Sequence, residues 1–414
     1  MNDIVLNLQL RAPFVAKTSL FADTQTNILS LDGPSDDGDF AMSPENLTTY
    51  LKQEASRLGF EMVGACPAVT VKGLSRFSKW LDAGYAGQMH YLRRRRDAYQ
   101  HPSHVLDGVR SILMLGMNYR TVEPVSPARG AGRISRYAWG TDYHDLIRER
   151  LNQLAELLST AAAEATVRGV VDTAPLLERE YAEMAGLGWI GKNTLLLNRE
   201  AGSWFFLAAL LTDAELAYDT DRETDHCGTC TACLDACPTN AFVQPYVLDA
   251  RKCISYLTIE LKNEIPTELR PGIGDWLLGC DVCQEVCPWN SRAPTSAEHK
   301  FLPRDEANPI ELAGLFDLDD EQFRARFRDT PLWRPRRRGI LRNAAIVLGN
   351  QRDPDAIPAL GKGLSDSEPL VRSACAWAIG CFDRPEAEDI LRARLTVETD
   401  QIVLQEIQTA LPAE

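Results

Sequence analysis

The chain has 414 residues, which is enough for about two or three domains. Its 45% hydrophobic and 25% charged content is that of an ordinary globular protein, and no apolar run reaches the roughly eighteen residues of a membrane-spanning helix. The net charge of −14 argues against non-specific nucleic-acid binding by the chain as a whole, but not against a local basic surface. Because the N-terminus lacks a basic region and a small-residue cleavage site, we expect a cytoplasmic protein without membrane attachment.

Residues 1–42 are predicted to form a flexible extension, since their last part is acidic and broken by glycine and proline. Folding is predicted to begin at Ser43, which can cap a helix that has Pro44 at its first position. Strands and helices then alternate over 43–220, which predicts an α/β domain with a central sheet. The expected strands cover 60–65, 110–119, 169–175, where the strand ends in a turn, and 203–211. The expected helices cover 44–58, 74–83, 144–165 and 178–185.

Two glycine-rich loops interrupt this domain, at 130–140 and 186–193. Backbone amides of the second loop could bind a phosphate. However, its spacing matches neither the Walker A motif nor the dinucleotide fingerprint, so nothing in the chain predicts a nicotinamide site.

Eight of the eleven cysteines lie between Cys227 and Cys287. The run that ends in Cys237-Pro238 is the bacterial ferredoxin pattern, in which three thiolates bind one [4Fe-4S] cluster and the fourth binds a second cluster. The run that ends in Cys287-Pro288 has the same form, with its first cysteine displaced to Cys253 by an insertion. Zinc favours two separated cysteine pairs, and disulfides require an oxidising compartment, so both fit less well. We predict a ferredoxin-like domain over 221–300, with one cluster on Cys227, Cys230, Cys233 and Cys287 and the other on Cys253, Cys280, Cys283 and Cys237.

A mixed connector is expected over 301–335, followed by an all-α domain over 336–414. The segment 342–349 is echoed by 372–380, a period of about thirty residues that indicates HEAT-like helical pairs. Such pairs stack into a concave binding surface and carry no chemistry of their own. Two arginine runs, 93–96 and 334–338, are either binding surfaces or solvated loops.

Clusters alone would suffice for an electron carrier, so the large domain before them indicates a redox enzyme with its site in that domain. A non-enzymatic electron-transfer scaffold is the alternative. Reductive cleavage of a carbon–oxygen bond needs a proton donor. Asp172 follows an apolar strand, where burial could keep its carboxyl protonated near neutral pH, although a turn-capping role is the competing interpretation. His144 is either a base or ligand, or more simply a helix-start residue whose ring is satisfied.

The chain resembles the epoxyqueuosine reductases, cobalamin-dependent iron–sulfur enzymes that complete queuosine in tRNA. The resemblance covers nearly everything after residue 43 and rests on the motifs at 133–144, 171–179, 186–193, 253–258 and 279–284. An Asp-x-His-x-x-Gly cobalamin motif is absent, because Ile147 stands at its glycine position, and the family binds cobalamin without that histidine.

The resemblance implies that cobalamin, reduced through the two clusters by an external electron donor, removes the epoxide oxygen at the tRNA wobble position. Asp172 matches the proton donor of the family. The helical tail and the arginines from Arg334 to Arg342 would hold the tRNA anticodon stem–loop, and we expect a monomer. The residues expected to contact the corrin are Arg95, Ser135, Tyr137, Asp172, Lys192, Asn193 and Asp281.

Overall fold

A four-stranded sheet forms the centre of the first half of the chain in the computed structural model, which describes residues 42–220, 224–304 and 306–412. The predicted extension over 1–42 lies outside the described residues except for Met42. The strands of this half are β1 (Met62–Pro67), β2 (Ser111–Asn118), β3 (Ala131–Ile134), β4 (Val167–Val170), β5 (Trp189–Ile190), β6 (Leu196–Leu197) and β7 (Phe205–Thr212). Its helices are α1 (Pro44–Arg57), α2 (Leu74–Asp82), α3 (His90–Arg94), α4 (Tyr143–Ala161) and α5 (Glu178–Met184).

The central sheet has the strand order β1-β2-β7-β4, and every neighbouring pair is antiparallel. Strands β2 and β7 read as continuous apolar runs because both faces of the sheet are covered. Side chains alternate along a strand, so Leu113 and Leu115 pack towards α1 and α4, whereas Ile112 and Met114 pack towards α5. Apolar residues at helical spacing in α4, such as Leu151, cover the first face.

The cysteine region is built from short elements tied to the first half by a second sheet. Its helices are α6 (Ala232–Asp235), α7 (Ile254–Ile259), α8 (Arg270–Ile273) and α9 (Val282–Glu285), and its strands are β8 (Phe242–Gln244), β9 (Val247–Leu248) and β10 (Trp276–Leu278). Strand β3 pairs in parallel with β10 and antiparallel with β11 (Ile310–Glu311). This pairing brings the segment after β3 beside the cysteines that follow β10.

The C-terminal part is helical. Its helices are α10 (Asp320–Phe327), α11 (Arg336–Gln351), α12 (Ile357–Gly363), α13 (Pro369–Gly380), α14 (Pro385–Leu395) and α15 (Gln401–Ala410). The two sequence repeats occupy α11 and α13, which are mostly buried. The repeated glycine allows close packing, because a Cβ on Gly349 would lie 2.9 Å from the Cα of Ala378 and one on Gly380 would lie 2.5 Å from the Cβ of Ala410.

The predicted fold class is confirmed: a mixed α/β region, a double-cluster region and a helical repeat tail follow one another. The predicted strand that ends in a turn over 169–175 is confirmed: the chain leaves the sheet after Val170 and turns at Asp172, whose φ is +54°. A left-handed residue cannot continue a strand, and aspartate tolerates this conformation better than most residues. The predicted domain boundaries stay predictions. No helix in the described ranges combines the length and apolar content that crossing a bilayer requires.

Candidate active site

Asp172 lies on a turn that two other side chains hold in place. The backbone N–H of Asp172 donates to Oε1 of Glu178 at 3.0 Å, and Nη1 of Arg95 donates to the carbonyl oxygen of Thr173 at 2.9 Å. The Asp172 side chain is 44% exposed. The carboxyl therefore remains accessible to solvent at this turn.

The first two residues of helix α4 contact the Asp172 carboxyl. The Tyr143 hydroxyl donates to Oδ2 of Asp172, and Nε2 of His144 lies 3.4 Å from the same oxygen. The other ring nitrogen of His144 lies 2.7 Å from Asp142, whose carboxylate caps α4 by accepting from the His144 N–H. The expectation of a satisfied histidine at a helix start is therefore confirmed, but one of its two ring partners is the candidate catalytic aspartate.

The charges at this site differ from the sequence expectation. Burial raises the pKa of Asp172, but hydrogen bonds with His144 and Tyr143 outweigh burial, and the pKa lies below the ordinary value of 3.8. Burial lowers the pKa of His144, yet its hydrogen bonds to Asp142 and Asp172 raise it to about 9. The expectation of a protonated Asp172 at neutral pH is thus wrong, because the proton resides on His144.

Glu178 is a second protonated group beside Asp172. Burial, reinforced by the negative charge of Asp172, raises the pKa of Glu178 to about 8. Sequence reasoning missed Glu178, although its position six residues after Asp172 at the start of α5 is visible in the chain.

Three predicted corrin contacts meet beside Asp172. Both Ser135 and the N–H of Arg136 donate to the carboxylate of Asp281. The Tyr137 ring packs edge-to-face on Tyr143, which contacts Asp172, at 6.3 Å between centroids. Burial raises the pKa of Tyr137, and the charges of Asp281 and Asp172 raise it further. Burial also raises the pKa of Asp281 to about 6.

Lys192 and Asn193 instead contact the cysteine loops. Nζ of Lys192 donates to the carbonyl oxygens of Gly228 at 2.6 Å and Cys230 at 2.9 Å. Nδ2 of Asn193 lies 3.5 Å from the carbonyl oxygen of Cys283. The second glycine-rich loop therefore joins the candidate active site to the cluster region.

The eight cysteines of the predicted clusters are free thiols, and their influence on one another's pKa indicates which of them are close together. Burial raises the pKa of Cys233 to about 11, and Cys287, Cys227 and Cys230 raise it further. Burial likewise raises the pKa of Cys280, reinforced by Cys253 and Cys283. Burial also raises the pKa of Cys283, and Cys253, Cys233 of the other group and Cys237 raise it further. In the described ranges, no three His, Cys, Asp or Glu side chains are close enough to bind a single metal ion, whereas a cubane holds its thiolates farther apart.

The two arginine runs are mostly paired with protein groups. Arg93 donates to the carbonyl oxygen of Leu81, and Arg96 forms two hydrogen bonds with Asp82. Arg95 holds the turn of Asp172, as described above. Three of the four arginines of the first run therefore make structural contacts.

The second run has mixed roles. Arg337 forms a buried ion pair with Asp366, and Arg342 is buried with hydrogen bonds to the carbonyl oxygens of residues 257, 261 and 263. The expectation that the whole stretch from Arg334 to Arg342 faces tRNA is therefore wrong for these two. Arg334, Arg336 and Arg338 are exposed.

Arg334 was expected only as a tRNA contact but also reaches the candidate active site. Its guanidinium pairs with Glu260 at 2.6 Å. It is also close enough to lower the pKa of Asp172, where burial and the hydrogen bonds from His144 and Tyr143 are the larger influences. The connector thus brings a positive charge to the rim of the site.

A separate cavity of about 610 Å³ lies away from Asp172. Its charged lining is largely self-paired: Arg133 with Glu285, and both Arg120 and Arg136 with Glu123. It is therefore not the site that the sequence motifs indicate.

Three family models match the chain. One described as a 4Fe-4S double cluster binding domain matches residues 226–290, one described as epoxyqueuosine reductase QueG, DUF1730, matches 100–173, and one described as HEAT repeats matches 337–412. The fold and the double-cluster domain define an iron–sulfur oxidoreductase.

Relatives and solved structures narrow this class. A curated epoxyqueuosine reductase of Pseudomonas aeruginosa is 44% identical over 344 residues, which cover 81% of this chain and 94% of that protein. A crystal structure of epoxyqueuosine reductase with an epoxyqueuosine-modified tRNA-Tyr stem loop is 32% identical, with a TM-score of 0.83 and coverage of 88% of this chain and 98% of that one. The Bacillus subtilis enzyme, with its aspartate catalytic loop swung out of the active site, is 31% identical with a TM-score of 0.82 and the same coverage. The chain belongs to the epoxyqueuosine reductase family, which confirms the resemblance.

Proposed function

We propose that this protein reduces the epoxide of epoxyqueuosine in tRNA to a double bond, with cobalamin and two [4Fe-4S] clusters as cofactors. Two electrons and two protons are consumed, both carbon–oxygen bonds of the epoxide break, and the oxygen leaves as water. The observation that carries the proposal is the contact of the solvent-accessible Asp172 carboxyl with the protonated His144. Epoxide reduction needs this combination, because the departing oxygen must receive a proton as electrons arrive.

Asp172 would give a proton to the departing oxygen and take one from His144. An ionised carboxylate cannot donate by itself, but His144 holds a proton next to it and Tyr143 fixes the acceptor oxygen. Transfer from His144 to Asp172 to substrate therefore keeps a proton available at neutral pH. Glu178, whose pKa is about 8, is a second proton source behind the turn.

Residues around Asp172 suit the edge of a corrin. The periphery of this macrocycle carries amide groups that both donate and accept hydrogen bonds, and Arg95 and Tyr137 offer both functions. A corrin contact of Ser135 and Asp281 stays a prediction, since both are buried and bond to each other. Cobalamin, when bound, supplies a strongly reducing cobalt centre for cleavage of a carbon–oxygen bond. The role of Lys192 and Asn193 in holding it stays a prediction, since their side chains contact the cysteine loops.

The thiol groups support the predicted cluster ligands. Cys227, Cys230, Cys233 and Cys287 form one neighbourhood, and Cys253, Cys280, Cys283 and Cys237 form the other. This agrees with the crossing rule, by which the last cysteine of each ferredoxin run serves the other cluster. Electrons from an external donor would pass through these clusters to the site.

The substrate would be a tRNA anticodon stem–loop. A solved relative binds such a stem loop, and the exposed Arg334, Arg336 and Arg338 offer phosphate contacts near the site. The wobble base would have to leave its stack to reach Asp172.

Anaerobic single-turnover assays with epoxyqueuosine-bearing tRNA test the proposal. Asp172→Asn keeps the shape of the side chain and its tolerance of positive φ, and we expect it to slow epoxide loss by about 10²-fold or more. Asp145→Asn, on an exposed side chain of the same helix as His144, is the matched control. Wild-type rates in Asp172→Asn would remove Asp172 as donor. Unperturbed absorption bands of added cobalamin would instead favour an electron-transfer scaffold.

A further inference from the structure

The indole N–H of Trp189 is buried without a hydrogen-bond partner. Its ring is only 1% exposed, and Nε1 is one of the few buried side-chain nitrogen and oxygen atoms of the described chain that lack a partner. Buried polar groups are nearly always satisfied, so an unpaired indole N–H calls for an acceptor among its neighbours.

The surroundings of Trp189 identify that acceptor. The ring packs edge-to-face on His226 at 4.9 Å and on Trp289 at 5.0 Å between centroids. His226 directly precedes Cys227, and Trp289 follows Cys287-Pro288. Trp189 therefore lies where the two ends of the cysteine region meet, beside two thiols of the same group.

The Trp189 ring packs on the residue before Cys227, and its indole lies close enough to the Cys227 thiol to influence it. Burial raises the pKa of the Cys227 thiol, and the Trp189 indole is among the groups that oppose this rise. The hydrogen bond from an N–H to a cysteine sulfur is stronger when that sulfur carries the negative charge of a cluster-bound thiolate.

We propose that Trp189 donates an N–H···S hydrogen bond to Cys227 and thereby raises the reduction potential of the cluster bound by Cys227, Cys230, Cys233 and Cys287. Reduction adds negative charge to the cluster and its sulfur ligands, so a donor at one sulfur stabilises the reduced state more than the oxidised state. The inference rests on the proposed ligand sets, and it gives the loop over 186–193 a role beyond packing.

Lys192, in the same loop as Trp189, also contacts the cysteine region. Its ammonium group binds the carbonyl oxygens of Gly228 and Cys230, which fixes the cysteine loop against β5. Trp189 is thus held at a defined position relative to Cys227, as a residue that tunes a sulfur ligand must be.

The test is an electron paramagnetic resonance redox titration of the full-length, anaerobically reconstituted protein. We expect Trp189→Phe to shift one of the two cluster potentials to a more negative value and to leave the other unchanged. A strongly coupled exchangeable proton, seen by hyperfine spectroscopy on the reduced wild type in H₂O and D₂O, should disappear in the variant. Trp377→Phe, in helix α13, is the control and should leave both potentials unchanged.

Unchanged potentials in Trp189→Phe with full iron content would overturn the proposal. If the smaller ring costs iron, replacement of Trp189 by benzothienylalanine keeps the bicyclic shape and lacks only the N–H. Unchanged potentials in that variant would equally overturn it. Because the titration uses neither tRNA nor cobalamin, its failure leaves the proposed epoxide reduction standing, and failure of turnover leaves the potentials interpretable.

Discussion

Nε2 of His144 lies 3.4 Å from Oδ2 of Asp172, while Nδ1 of the same ring lies 2.7 Å from Oδ1 of Asp142. One imidazolium thus bridges two carboxylates, which explains both the low pKa of Asp172 and the high pKa of His144. His144 and Asp172 together hold one proton at neutral pH, and that proton lies beside the candidate active site.

The rate of epoxide cleavage should therefore fall as the pH rises through about 9, where His144 loses its proton. His144→Gln should slow single turnover by about 10²-fold and abolish this pH step, because the ionised Asp172 then lacks a proton source. The measurement is a single-turnover pH profile with pre-reduced enzyme. His104→Gln, an exposed histidine, serves as the control.

The free energy of unfolding should also depend on the protonation of His144. The folded pKa of His144 is raised from 6.5, so its contribution is fully present below about pH 6.5 and is lost as the pH rises through about 9. Thermal unfolding of wild type and His144→Gln should thus converge at high pH. Parallel curves across this window would contradict the ion-pair account.

Glu178 gives a separate pH-dependent prediction. Its pKa rises from 4.5 to about 8 on folding, so the folded state holds a proton there that the unfolded chain has lost, and stability falls as the pH rises from about 4.5 through 8. Glu178→Gln keeps an acceptor for the Asp172 N–H but cannot ionise. We expect the variant to gain stability relative to wild type as the pH rises, measured by denaturant unfolding.

Glu180→Gln is the matched control for this effect, since Glu180 belongs to the same helix and pairs with Arg76 on the surface. A constant difference between wild type and Glu178→Gln from pH 5 to 9 would show that Glu178 is ionised throughout.

Local sequence patterns predict some of the site residues but not others. Cysteine spacing predicts the clusters, because their ligands come in tight local runs, and apolar runs predict β2 and β7. The position of Asp172 after a strand was also readable. Its charge was not, since that depends on His144, which is distant in sequence and reaches it only through packing of α4 against β4 and β7.

Pairing between distant segments explains the remaining differences. Arg337 and Arg342 look like solvent-facing cations in sequence, but Asp366 and the backbone around residue 260 neutralise or bind them. Lys192 and Trp189 lie in a loop whose glycines suggested a ligand site. Their contacts with the cysteine region follow from the fold of a segment some forty residues later, which no local pattern encodes.

The two thiol groups predict how cysteine variants combine. Cys227→Ser and Cys287→Ser should each remove the same cluster, so the double variant should keep about half of the iron, as each single variant does. Cys227→Ser with Cys280→Ser should remove both clusters. Iron analysis and cluster spectra of anaerobically prepared protein measure this, with Cys381→Ser, outside both groups, as the control. Complete iron loss in the first double variant would show that the crossing assignment is wrong.

The arginines at the start of the helical tail separate binding from stability. Arg336 and Arg338 are exposed, whereas Arg337 between them forms a buried ion pair with Asp366. We expect Arg336→Ala with Arg338→Ala to weaken tRNA binding and to reduce the slope of log affinity against log salt by about one per lost phosphate contact. Arg337→Ala should instead destabilise the fold by about 3 kcal/mol, because it leaves Asp366 buried without its partner.

Filter binding of an anticodon stem–loop over a range of salt concentrations distinguishes these effects. Arg57→Ala, on the exposed face of α1, controls for the loss of a positive charge elsewhere. Since the chain carries a net charge of −14, long-range attraction cannot supply the affinity, and a few local cations must do so. A salt slope that the double variant leaves unchanged would therefore move the tRNA surface away from these arginines.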